Sequence, residues 1–586
     1  MTPGSRAAGT GSAAVTRVRR RTWHGLLPAA GLSVAGALSL PVLTVAASVF
    51  FPSEAAWAEF VRLVLPRYVR NTVWLLLGVA VGTLGVGVGA AWLVTAYRFP
   101  GRRLCQALLL LPLAVPAYLV AYTYADLLQY SGPIQSALRG WLGWTRGYPF
   151  PEIRSLGGAV FVLSFVLYPY VYLLTRAALL EQSPVVWEVS RTLAHGPWST
   201  FFRVALPVAR PGIAAGLSLV AMEVLADFGT VKYFELDTFA TGIYLVWFSF
   251  GSVLGAAKLA VWLMGFVLAV VAVERLSRGR KRYHRPAGPV REARPQQLTG
   301  PRAALALVAC LVPPALGFGI PGGYLGWMAW VGGDPLWGRA FLRLAGNTFV
   351  LAATAAGAAV LLSALLAYGL RLAPTPVMRL AARVVSLGYA VPGVVVAVGV
   401  LVPLGWLDNT VDAYFRRWWG VPTGLVLTGT TFTLVYAYLV RFLAAALSTV
   451  EAGLSRIGPT LEGAARTLGH GPGSVLLRVH APLMRGSIFT AALLVFVDAL
   501  KELPATLVLR PLNFDTLAVR LYLLASDERL MQASTSGLCI LAVGLVPVLW
   551  LDRAVHRSRA EAPAGLASAD PSGPDRIDRG SGIRLA

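Results

Sequence analysis

Charge is scarce in this chain. Only 13% of its 586 residues are Asp, Glu, Lys or Arg, while 56% are hydrophobic. A water-soluble domain carries about a quarter charged residues, so a soluble globular enzyme is excluded. Lysine is scarcer still: Lys232, Lys258, Lys281 and Lys501 precede Tyr233, Leu259, Arg282 and Glu502. A phosphate-binding P-loop needs Lys followed by Ser or Thr, so that the ammonium reaches the phosphates and the hydroxyl holds Mg²⁺. The chain therefore has no ATPase motif of its own, and no HExxH zinc motif either. Its three cysteines, Cys105, Cys310 and Cys539, lie in or beside apolar runs. They read as small core residues, against a disulfide or a metal site. The net charge of +24 is nearly all arginine flanking apolar runs, a pattern of membrane orientation with no nucleic-acid partner implied.

What the chain has in abundance is apolar runs of about 20 residues, the length that crosses a bilayer as a helix. The fold class is all-α: a polytopic membrane protein of about twelve transmembrane helices in two six-helix repeats. Spans are expected near 25–50, 72–97, 104–129, 157–175, 211–231 and 253–273, then near 303–330, 347–370, 380–406, 421–446, 486–507 and 535–551. The first run is too long for a signal-peptide core and reads as an uncleaved span. The division that follows is a disordered basic tail (1–24), a first transmembrane domain (25–275), a basic linker (276–302), a second transmembrane domain (303–555) and a disordered C-terminal tail (556–586). With both termini cytoplasmic, the inside segments hold 35 of the 51 Lys and Arg residues and the outside segments 14. That excess supports the orientation.

The two halves repeat in sequence. Asn71-Thr72 matches Asn347-Thr348, and Ala114-Val115-Pro116 matches Ala390-Val391-Pro392, each 276 residues apart. A polar stretch between the fourth and fifth spans recurs 275 residues on. There, 11 of 20 positions from Arg191 to Arg210 equal their partners. "FELDTFATGIY" (234–244) answers "LNFDTLAVRLY" (512–522). The chain is a fused pseudo-dimer. In each polar stretch a short helix should end at Gly196-Pro197 or Gly471-Pro472, because proline lacks an N–H and disfavours helix in the residue before it. A second short helix should lead to Pro207 or Pro482. Such an element is either a knob for a groove on a partner or an ordinary interfacial loop.

These stretches resemble the EAA loop of binding-protein-dependent ABC importer permeases. The first copy supplies Glu188-Val189-Ser190, Arg191, then Ala194 where the family has Gly, His195, Gly196, Pro197, Val204, Leu206 and Pro207. The second supplies Gly463-Ala464-Ala465 with Glu462 one place early, Arg466, Gly469, His470, Gly471, Pro472, Val479, Ala481 and Pro482. Each copy thus departs from the pattern at one anchor. Together with "LADFGTVKYFELDTFATGIYLVWF" and "LKELPATLVLRPLNFDTLAVRLYLLASDERL", the chain looks most like the fused permeases of ferric-iron importers; thiamine, phosphonate, sulfate and polyamine permeases share the loop. The resemblance implies the type I ABC importer permease fold, a bacterial inner-membrane location and no cofactor beyond ATP held by a partner. The implied partners are a cytoplasmic ABC ATPase homodimer gripping the two loops, a periplasmic or lipid-anchored substrate-binding protein, and membrane lipid. An ion-gradient-driven transporter of twelve spans is the competing class; it has no reason to duplicate an ATPase-docking loop.

Charges inside the spans mark a candidate path. Glu223 and Asp227 lie four apart, on one face if helical, and Asp498, Lys501 and Glu502 occupy the matching region. An ionised group deep in lipid costs roughly 2.5–3.5 kcal/mol on insertion scales, so such groups face a partner or water. They either line the translocation path or brace the bundle through Lys501. Few acids and no histidine cluster argue against a metal cage. Pro116 and Pro392 either bend their spans and shape a gate or mark tolerated kinks. Gly78, Gly82, Gly85 and Gly89 suit close helix packing rather than nucleotide binding. Lys232, Asp237, Arg510 and Asp515 are either contacts for a binding protein or solvated loop charges.

Overall fold

The computed structural model describes residues 10–52, 55–143, 148–180, 196–278, 296–335 and 338–560. The helices of the first half include α1 (Thr10–Ala47), α2 (Leu65–Ala96), α3 (Arg102–Leu108), α4 (Ala117–Leu128), α5 (Pro133–Leu142), α6 (Leu156–Leu180), α7 (Leu206–Ala226), α8 (Gly229–Tyr233), α9 (Phe239–Phe248) and α10 (Val253–Arg278). The second half holds α11 (Gly300–Pro314), α12 (Ile320–Val331), α13 (Arg339–Leu372), α14 (Pro376–Leu387), α15 (Gly393–Trp419), α16 (Thr431–Ser455), α17 (Pro459–Thr467), α18 (Arg485–Leu500), α19 (Pro504–Leu509), α20 (Leu517–Ser526) and α21 (Leu530–Ala560). Among the described residues, ten helical segments are long and apolar enough to cross a bilayer. Two further pairs, bent by 92° and 81°, bring the number to twelve if each pair is one span. The all-α polytopic fold read from the sequence is thus the fold observed.

Proline sets the breaks. Pro116 and Pro392 do not kink continuous helices. Each is the extended cap from which α4 or α15 starts, at φ −62°, ψ 138° and φ −60°, ψ 143°. The residues before them, Val115 and Val391, are extended as well, as the steric demand of the ring requires. The first of these breaks is the 92° bend.

Three expected boundaries are corrected. The chain is helical from Thr10, so part of the basic tail continues the first span, an extension that Ala and Arg favour. At the other end α21 runs to Ala560. Inside the 276–302 linker, Gln296-Gln297 pairs in parallel with Tyr97-Arg98, tying the start of the second half to the first. The tenth span starts at Thr431 rather than near 421. Residues 423–428 instead form a strap held by two carboxylates of α15. Asp412 accepts from the amides of Thr423 (2.8 Å) and Gly424 (3.0 Å), and Asp408 from those of Leu427 (2.9 Å) and Thr428 (2.8 Å).

The halves exchange their first spans. Helix α1 packs on α14 and α15 of the second half, and α11–α12 pack on α3, α4 and α21. Glycine permits the approach: a Cβ on Gly399 would stand 2.3 Å from the Pro41 carbonyl. Within the first half, Gly78 and Gly82 of α2 meet Val160 and Ser164 of α6, and Gly87 meets Val171. Gly85 and Gly89 face open space, so the packing stripe read from the sequence holds at two of its four glycines and gains Gly87.

Candidate functional site

At the interface between the halves, α7 and α18 both stop short. Helix α7 ends at Ala226, and Asp227 turns out of the helix at φ −69°, ψ 126°. Asp227 therefore does not share a helical face with Glu223, contrary to the four-residue spacing. Its carboxylate caps α8 instead, accepting from the Thr230 hydroxyl (2.9 Å) and the Val231 amide (3.1 Å). The matching break follows α18, where Glu502 accepts from the Ala505 amide at 3.1 Å and caps α19. Both acids satisfy orphan N–H groups at helix starts, where a carboxylate is favoured.

A cavity of about 130 Å³ opens between these two breaks, room for several waters. Glu223, Asp227, Asp498, Lys501 and Glu502 all line it, as does Pro116. Pro392 is not on its wall, but the next residue, Gly393, is so close that a Cβ there would lie 2.5 Å from Glu502 Oε1. Asp498 and Lys501 pair at 3.0 Å, and Glu502 pairs with Arg441 at 3.0 Å. Lys501 thus braces Asp498 and also lines the cavity. The Tyr118 hydroxyl donates to the Lys501 carbonyl at 3.3 Å, which carries the first half's α4 onto the second half's break. Tyr389 is a hydrogen-bond partner of Glu223.

Arg441 is the residue that the sequence reading missed. With the tenth span set at 421–446, it fell at the cytoplasmic edge; with the span at 431–455, it sits inside α16 on the cavity wall. The Pro-Thr-Gly and Thr-Gly-Thr clusters at 422–424 and 428–430 were the available signal, since such clusters mark loops.

The second polar stretch forms the two short helices expected of it, but the first ends at Thr467, ahead of Gly471-Pro472. Helix α17 ends in paired turns: the His470 amide reaches the Ala465 carbonyl and the Gly469 amide the Arg466 carbonyl, both at 3.1 Å. This termination needs a left-handed residue just past the helix, and Gly469 supplies it at φ +84°. Pro472 then opens a second short helix, Pro472–Val475. His470 Nδ1 lies 3.1 Å from the Ser474 hydroxyl, bridging the two pieces. Ala464 and Ala465 sit on α17, and Pro482 falls in a final turn before the 81° bend. Of the first copy, Glu188, Arg191, Ala194 and His195 lie outside the described residues. Gly196, Pro197 and Pro207 lie at its far end, where a π-helical turn spans Phe201–Ala205. The second copy has the same turn at Leu476–His480.

Among the outer-loop charges, Asp237 pairs with Arg67 at 3.0 Å and Asp515 with Arg510. Among the described residues no group of His, Cys, Asp and Glu could hold a metal ion. Cys105 and Cys310 are buried free thiols and Cys539 is half-buried.

Comparison with known proteins bears on this arrangement. Residues 83–276 match the family described as binding-protein-dependent transport system inner membrane component. The chain is 24% identical over 496 residues to the Fe(3+)-transport system permease protein FbpB 2 of Haemophilus influenzae, covering 83% of this chain and 90% of that protein. It is 29% identical over 219 residues to the sulfate transport system permease protein CysT of Escherichia coli, or 36% of this chain and 76% of that one. Over 197 residues it is 30% identical to the molybdenum transport system permease protein ModB of Escherichia coli, or 33% and 82%. A duplicated, helix-broken polar loop, a charged cavity between two repeats and these relatives agree: the chain belongs to the binding-protein-dependent inner-membrane permeases of ABC importers.

Proposed function

We propose that this permease moves ferric iron inward, with the cavity between the halves as part of its path. The observation carrying this reading is the cavity's charge: four carboxylates face two cations. Asp498 pairs directly with Lys501 and Glu502 with Arg441; among the described residues Glu223 and Asp227 make no direct ion pair, although Glu223 lies in the field of both cations. An acidic, oxygen-rich passage suits a hard cation, which prefers oxygen ligands, and repels a dianion such as sulfate. A relative that spans most of the chain is named for Fe(3+) transport; two named for sulfate and molybdenum match shorter stretches.

The two polar stretches dock a homodimer of ATPase subunits on the cytoplasmic side, where both termini lie. The chain brings no P-loop to the reaction, so ATP is bound and hydrolysed by that partner. A loaded periplasmic binding protein delivers its cargo on the other side. Residues 25–275 and 303–555 act as the two permease domains, although each lends its first span to the other. When the ATPases close, the loops are drawn together. The motion reaches the cavity through α7 and α18, whose broken ends carry its acids. The cavity holds its cargo weakly, as a conduit requires: most of its acids are already engaged by cations or helix amides.

The test is uptake by proteoliposomes holding the chain with its ATPase subunits and a ferric-iron binding protein. ATP-dependent uptake of radiolabelled ferric iron is expected, with sulfate and thiamine left outside. Uptake of thiamine or sulfate alone would overturn the substrate. Iron uptake that follows an imposed ion gradient and ignores ATP would instead favour the secondary-transporter class.

A further inference from the structure

We infer that Glu462 and Arg371 form an intrachain clasp that positions the second ATPase-docking helix, with residues that the first half does not repeat. The inference rests on the reading that residues 459–483 dock an ATPase.

Arg371 stands in the last turn of α13 and uses all three of its nitrogens. Nε donates to Glu462 Oε2 at 3.0 Å, Nη1 to the Leu454 carbonyl at 2.6 Å and Nη2 to the Ile457 carbonyl at 2.8 Å. One guanidinium thus joins α13, the end of α16 and α17. The other oxygen of Glu462 is taken by Arg466, one turn along α17. His480, fully buried, lies with Nε2 3.9 Å from Glu462 Oε2 and its ring against Tyr368. The Tyr368 hydroxyl donates to the Pro472 carbonyl at 2.9 Å, fixing the start of the second short helix. Both members of the central pair are largely buried, at 19% and 11% side-chain exposure. A buried charge persists only when paired and hydrogen-bonded, and each member here satisfies the other.

The register of the loop explains why the carboxylate turns inward. The family pattern puts Glu where this chain has Gly463, and a Cβ at Gly463 would meet nothing within 4 Å. Position 463 is therefore on the open face of α17. One residue earlier is a rotation of about 100° on a helix, which carries the Glu462 side chain onto the buried face. A residue that in register would face the partner has become a fastener within the chain. The open surface is left to Leu461, Leu468 and Leu477. At the repeat offsets, Thr95, Trp187 and Ala205 occupy the places of Arg371, Glu462 and His480, so the first half does not repeat the residues of the clasp.

The experiment uses the complete complex in nanodiscs, with E462Q, R371Q, R371K and the double variant E462Q/R371Q. Amide exchange over 459–467 should speed up at least about tenfold in E462Q and R371Q, with monodisperse particles and ATPase subunits still bound. ATP hydrolysed per ferric ion taken up should rise at least severalfold. The double variant should be no worse than either single one, because the pair acts as a unit. R371K should fail to rescue, since one ammonium cannot span three acceptors, whereas G463E on the open face should not speed exchange, because Glu favours the helix over Gly. Unchanged exchange in E462Q and R371Q, or losses that multiply in the double variant, would overturn the clasp. If the wild-type complex shows no ATP-driven iron uptake, the functional reading fails while the exchange data still judge the clasp.

Discussion

The two halves share a plan but are fastened by different chemistry. In the second, Arg371–Glu462, Arg441–Glu502 and Arg520–Asp334 are ion pairs with mostly buried partners, the last bidentate at 2.9 Å on both arms. At the matching places the first half has Thr95, Phe165 and Gly242 in place of the three arginines. It packs aromatic rings and bare backbone instead. Trp92, the counterpart of Tyr368, tilts against Phe201 at 5.3 Å, and Trp198 stacks on Phe202 at 6.2 Å. The glycines of α2 let α6 approach closely, where the second half has Thr354 and Ala358 opposite Gly78 and Gly82. Duplication preserved the outline while the adhesive diverged. Ion pairs hold one geometry through directed bonds, whereas apolar packing is non-directional.

The same division runs through the cavity. Its acids are pseudo-symmetric, Glu223 answering Asp498 and Asp227 answering Glu502, but both cations come from the second half. The largest predicted effect tests this difference. Arg441→Ala leaves Glu502, 2% exposed, without its counter-charge. Removing one partner of a buried pair costs about 3–5 kcal/mol. Thermal unfolding of the purified chain in detergent should show that loss, and iron uptake should fall with it. Phe165→Leu at the matching place conserves apolar character and should cost less than about 1.5 kcal/mol. Equal destabilisation by the two would break the contrast between the halves.

An intermediate effect is expected at the turn that closes α17. Gly469 is left-handed at φ +84°, a conformation that costs an L-residue roughly 1–2 kcal/mol. Gly469→Ala should therefore loosen α17 by about that amount, read as faster amide exchange at His470 and the last turn. The first copy already carries Ala194 at this position. Ala194→Gly is thus predicted to act in the opposite sense, raising ATPase affinity for the first loop. If neither change alters its own loop, the turn does not distinguish the two copies.

What could be read from the sequence was what repeats. The duplicated loops, the Ala-Val-Pro breaks and the apolar runs each appear twice, and periodicity exposes them without knowledge of packing. What escaped depended on contacts distant in the chain. Residues 421–430 are apolar enough to pass for the start of a span until Asp408 and Asp412 are seen to hold them as a strap, and that shift put Arg441 on the wrong side of a boundary. Asp227 has the spacing of a helical partner to Glu223, yet the helix stops one residue before it. Glu462 looked like a slipped motif residue. Only Arg371, 91 positions away, shows that the slip has a use.

The smallest effect belongs to the ion pair at the other end of the first half. Arg67 and Asp237 meet at 3.0 Å but remain 62% and 43% exposed. Water and salt screen such a pair, and exposed bridges contribute roughly 0–1 kcal/mol. Asp237→Asn should therefore leave the melting temperature nearly unchanged. Its carbonyl would still accept from Asn71 at 3.1 Å, a bond the substitution does not touch. In the second half, Arg520 meets Asp334, whose side chain is wholly buried, through two parallel hydrogen bonds. Asp334→Asn removes the charge from that bidentate pair and should cost about 1.5–3 kcal/mol, the value of hydrogen bonds to charged groups. The two substitutions are chemically identical, so their difference in unfolding free energy measures burial and bidentate geometry together. Raising the salt concentration should shrink the Asp237 effect further while leaving most of the Asp334 effect in place, because buried pairs are screened far less than exposed ones. A salt response of equal size at both sites would mean that the second half is fastened no more tightly than the first.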